Sequence, residues 1–228
     1  MILIFIFIWY IIIIWYLLVK INDEYYVHVC SLGTLCHSTK IIMNNKLKLE
    51  SYPFDWIYSN PKNVLHMIED DFKIFLDKSF YIGKKLRAGH TEYDDNLFNH
   101  HNPKDNELQY NYFVRCVNRF RRLLKTRQKK LFVSAFLNCS FENFFECKEQ
   151  VLKIKNALDR RTKNFRIFVL FHIPSKNIRH FLFTHDDTDF CLLYTSHSDG
   201  LKFNRIKDNE YINQILKKKY MFDVCKLN

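Results

Sequence analysis

The chain has 228 residues, with 35 Lys and Arg against 24 Asp and Glu and a formal net charge of +11. Apolar residues make up 48% and there are only 4 Gly and 4 Pro, which excludes a disordered, collagen-like or linker-rich chain and argues against a glycine-rich phosphate loop. The length suits one domain with its own core, and the charge raises the question of a nucleic-acid or anionic-membrane partner.

Residues 2–19 (ILIFIFIWYIIIIWYLLV) carry no charge and end at Lys20. At 1.5 Å per residue such a helix spans about 27 Å, close to the ~30 Å of a bilayer core. No basic region precedes the run and no small-residue cleavage site follows it, so residues 1–20 read as an uncleaved transmembrane or signal-anchor segment. Lys20 places the remaining residues, 21–228, on the cytosolic side of a single-pass membrane protein. Seven cysteines without a CxxC pair read as free thiols in a reducing compartment, which agrees.

Beyond the anchor, Tyr25–Cys30 is β-branched and aromatic and reads as a strand, broken by Ser31-Leu32-Gly33; residues 36–45 read as a helix. Ser51–Ser59 reads as a loop, and Asn60-Pro61 opens a helix with apolar residues from Val64 to Leu76 at a 3.6-residue period. Residues 81–106 are polar and read as irregular. Glu107–Lys125 is an amphipathic helix, followed by a strand at Leu131–Leu137, a helix at Phe141–Leu158, strands at Phe165–Phe171 and Phe190–Thr195, and a final helix near Glu210–Lys219. Strands alternating with helices predict an α/β fold with a largely parallel open sheet in a single domain, residues 21–228.

Ligands of open α/β sheets bind beyond the carboxyl ends of the strands. That rule selects Ser31–Cys36, Asn138-Cys139, His172 and Ser196-His197-Ser198-Asp199. Cys36 falls where a strand and turn feed a helix, and a helix N-terminus lowers a thiol pKa, as a cysteine nucleophile needs. A small buried residue in a tight turn is the plainer reading of the same position.

The stretch Ser31-Leu32-Gly33-Thr34-Leu35-Cys36, with Pro53-Phe54-Asp55-Trp56 and Glu69-Asp70-Asp71-Phe72 after it, resembles the opening of the putative papain-like cysteine peptidase family of bacteria and large DNA viruses. Asn99-His100-His101-Asn102-Pro103 and Arg115-Cys116-Val117-Asn118-Arg119-Phe120 extend the likeness, which covers about residues 27–137. The resemblance implies a thiol-dependent hydrolase with Cys36 as nucleophile and His101, or else His100, as general base. The histidine is followed here by Asn102, where family members often carry an acidic residue. Asp55 is the candidate for orienting the imidazole, or else a loop cap, and the backbone N–H of Cys36 a candidate oxyanion donor. The papain label implies a helix packed on an antiparallel sheet, whereas the pattern gives parallel βαβ units. In a parallel sheet His172, or His197 with Asp199, becomes an alternative base.

Acyl transfer through a thioester requires no cofactor. The mixed runs His185-Asp186-Asp187 with Asp189, and His90, Glu92, Asp94 and Asp95, lack metal-ligand spacing and read as solvated loops. Residues 115–130 hold eight positive and no negative side chains, among them Arg115, Arg119, Arg122 and Lys125. The charge excess is therefore a local patch, either the solvated face of a helix or a surface for anionic lipid or phosphate, and nucleic acid is disfavoured as a partner. The expected partners are a membrane, through the N-terminal helix, and a peptide or small-molecule substrate. Two other readings stay open: an α/β ligand-binding or glycosyltransferase-like domain without cysteine catalysis, and an inactive membrane-associated interaction protein.

Overall fold

The computed structural model describes residues 9–10 and 25–223. The expected anchor lies outside the described residues apart from Trp9 and Tyr10, and among the described residues no helix is long and apolar enough to cross a membrane.

The main sheet has five strands in the order β1-β5-β6-β8-β7: β1 (His28–Ser31), β5 (Lys130–Phe136), β6 (Phe165–Pro174), β8 (Thr188–Thr195) and β7 (Arg179–His185). The first four run parallel and β7 is antiparallel to β8. Both faces are covered, so the central strands read as continuous apolar runs rather than alternating ones. Along β5, Phe132 and Phe136 enter one cluster, while Leu131, Val133 and Ala135 enter the other. Helix α1 (Cys36–Asn44) and helix α6 (Ile206–Lys219) supply Ile41, Ile42, Ile212 and Ile215 to the second face. Helices α2 (Pro61–Glu69), α4 (Glu107–Lys125) and α5 (Phe144–Asp159), with the short α3 (Lys73–Leu76), cover the first.

The α/β class and the largely parallel sheet stand as expected, and the parallel order settles the conflict with an antiparallel papain-like sheet in favour of βαβ units. Three local readings are corrected. Residues 81–106 are not irregular throughout: β2 (Tyr81–Lys84), β3 (Arg87–His90) and β4 (Asp94–Phe98) form an antiparallel sheet. These strands are short and bury only one face, including Tyr81, Ala88 and Leu97, so their apolar signal is weak. β7 is also a strand, and because most of its residues are exposed it prints no buried-strand pattern in the sequence. The first strand begins at His28, and Tyr26 only bridges Phe222.

Candidate active site

β1 ends at Ser31, whose Oγ is 2.7 Å from Ser38 Oγ and accepts from the Gly33 amide. Ser38 Oγ in turn lies within hydrogen-bond reach of the Gly33 and Leu35 carbonyls, so the SLG turn is tied to the helix it feeds. Gly33 has φ +78, and a Cβ there would collide with Ser59 Oγ. Glycine is required on both counts. Thr34 Oγ1 donates to the Ala135 carbonyl and the Thr34 carbonyl accepts from Ser59 N, which pins the turn between β5 and the loop after PFDW.

Cys36 is the first residue of α1, preceded by an extended Leu35, and no side chain caps the helix. It lies in the crevice position beyond a carboxyl-terminal strand end. The Cys36 amide and the Lys40 cation favour the thiolate, but burial outweighs them and raises the thiol above its ordinary value, with Asp55 adding to the rise. The resting side chain is thus a thiol, contrary to the expected lowering by the helix N-terminus.

Lys40, one turn along from Cys36, sits 5.5 Å from the Trp56 ring, and His100 approaches the same ring edge-on at 6.4 Å. Trp56 therefore joins α1, one turn beyond Cys36, to the His100 segment. Tyr58 N donates to the Leu97 carbonyl and draws the same two segments together. His100 is exposed, whereas His101 stacks on Tyr112 at 5.3 Å and meets Phe113 edge-on, its pKa lowered by burial and then by His100. No histidine hydrogen-bonds Cys36 among the described residues.

Asp55 is 2% exposed and fully engaged: its carboxylate accepts from Lys48 Nζ at 2.6 Å, Tyr52 N and Thr39 Oγ1. It holds the loop to α1 and meets no imidazole. The alternative bases are likewise held apart. His172 is buried, its Nδ1 accepting from Asn138 N, and it packs on Phe203 from one side while His37 packs on it from another. Burial pushes both imidazoles down to about 4, with repulsion from His172 adding to the shift of His37 and repulsion from His197 to that of His172. Asp199 accepts from Leu201 N and Lys202 N as a loop cap, and the exposed His197 is not its partner.

Sequence reasoning missed His37, whose Nδ1 lies 2.9 Å from Ser198 Oγ, and Trp56 and Lys40 as a bridge. The i, i+4 spacing of Cys36 and Lys40 was a usable signal; the His37–Ser198 contact, 161 residues apart, left none.

The motifs behind the resemblance converge in space. Phe54 of PFDW, Phe72 of EDDF and Phe120 of the RCVNRF helix form a triangle with ring centroids 5.5–5.6 Å apart. Three of the five cations of the basic helix face two carboxylates. Arg119 and Arg122 face Glu50 at 3.7 and 3.3 Å, and Arg121 faces Asp71 at 3.0 Å. Lys125 lines a cavity with Asp71, Arg121 and Arg161. Asp189 of the His185–Asp189 run is buried against Arg166, Thr184 and Tyr220.

Fold and site together define an α/β protein with a cysteine at the start of its first crossover helix, beside an aromatic loop. Residues 27–91 match the model of a family described as putative papain-like cysteine peptidase, a stretch that carries Cys36, Asp55 and Trp56 but not His100. No curated protein and no solved structure matches the chain.

Proposed function

We propose that the protein is a thiol-dependent hydrolase in which Cys36 is the nucleophile and His100 the general base. The observation that carries this reading is the Trp56 bridge between α1, one turn beyond Cys36, and His100. His101, the first choice from sequence, is stacked on Tyr112, whereas His100 is exposed beside Trp56, which favours His100 as the base. Because burial keeps Cys36 protonated, activation falls to the base as the substrate docks. His100 removes the thiol proton while sulfur attacks the acyl carbon. It returns that proton to the departing amine or alcohol as the bond to carbon breaks. Water then attacks the thioester, releasing the acid and restoring the thiol. Amides at the uncapped start of α1 supply hydrogen bonds to the developing oxyanion.

The test uses p-nitrophenyl acetate and mass spectrometry of the full chain. An acetyl group on the peptide containing Cys36, absent from Cys36→Ala, is the expected result; acetylation spread over other thiols, or none, overturns the reading.

A further inference from the structure

We propose that two copies of the chain pair through β7, joining their main sheets into one. β7 is the outer strand of the sheet, at the opposite edge from β1 and Cys36. It pairs with β8 over seven continuous residues, and among the described residues its backbone groups bond nothing else. Natural edge strands are blunted by prolines, bulges, charges or short length. Arg179–His185 is seven residues long, has neither proline nor bulge, and carries one formal charge at its start.

The side chains suit a second copy. Phe181 and Phe183 are 55% and 38% exposed on one face, and Leu182 is 37% exposed on the other. Phe144 contacts Phe183 at 6.0 Å and extends the patch to Phe141 and Phe145, themselves 50% and 65% exposed. The order Phe181-Leu182-Phe183 is symmetric about Leu182. An antiparallel two-fold pairing thus sets Leu182 against its own copy and Phe181 against Phe183 of the second chain, giving two aromatic cross-strand pairs on one face. With about 200 Å² for a whole Phe side chain, the exposed part of the patch is roughly 450 Å² per copy. Pairing at the strand edge covers the flanks of these side chains, so the contact rests on the backbone hydrogen bonds of the two free edges together with the aromatic cross-strand pairs.

The experiment uses the full chain in dodecyl maltoside. Under mild oxidation Leu182→Cys is expected to form a covalent dimer, whereas Leu86→Cys, 84% exposed in the β2–β3 turn, stays monomeric against the background of native thiols. Phe183→Lys, read by light scattering, weakens association on the order of a hundredfold. A Leu182→Cys chain that does not cross-link, or cross-links no better than Leu86→Cys, overturns the pairing. So does a dimer that survives Phe183→Lys, because another surface, such as the apolar residues 2–19, then holds the copies.

Discussion

Lys48 Nζ and Asp55 Oδ2 lie 2.6 Å apart in an ion pair that is almost closed to solvent at the carboxylate. The PFDW aspartate thereby serves the architecture of the site, fastening the Trp56 loop to α1 through Thr39 as well. Removing Asp55 takes the shared acceptor from Lys48 Nζ and the Tyr52 amide in a largely buried loop. Asp55→Ala is expected to lose about 3 kcal/mol in urea unfolding. A loss of activity with unchanged stability would instead mark Asp55 as the residue that orients the base.

The Phe54–Phe72–Phe120 triangle predicts coupling between motifs far apart in sequence. Phe120→Ala is expected to cost about 3–5 kcal/mol. A double-mutant cycle between Phe54 and Phe120, read by chemical denaturation, is expected to return about 0.5–1.5 kcal/mol of interaction. Additive losses contradict a direct contact.

His37 and His172 make stability depend on acid. Both are buried neutral and titrate at about 4 in the folded chain, against an ordinary 6.5. Between those values the unfolded chain binds more protons than the folded one, so stability is fully present above about 6.5 and falls as pH drops toward 4. Urea titrations at descending pH measure the slope, and His172→Leu is expected to flatten it.

Cys36 is expected to react slowly with iodoacetamide at neutral pH, its rate climbing only above the ordinary thiol value of 9.0 because burial raises it. Peptide mapping after timed labelling gives the rate. Fast labelling near pH 7 contradicts a protonated resting state.

What the sequence reveals tracks burial. Helix α4 occupies Glu107–Lys125, the span its periodicity predicts, because Phe113, Val117 and Phe120 face the core at helical spacing. β5 and β6 are equally legible as buried apolar runs. β7 is hidden because an exposed edge strand has no buried face to print a pattern. At the site, Cys36 is legible from a strand, a turn glycine and a helix start. Its neighbours are not: sheet order alone brings His172 and Ser198 beside His37, and a ring contact alone sets His100 apart from His101.

The choice of base decides the account. The most direct measurement is the rate of p-nitrophenyl acetate hydrolysis by the full chain and by its Cys36→Ala, His100→Ala and His101→Ala variants, each checked for folding by circular dichroism. Loss of turnover in Cys36→Ala, a drop of about a hundredfold in His100→Ala and an unchanged rate in a folded His101→Ala are predicted. Turnover that persists without Cys36, or that depends on His101 and not His100, contradicts it.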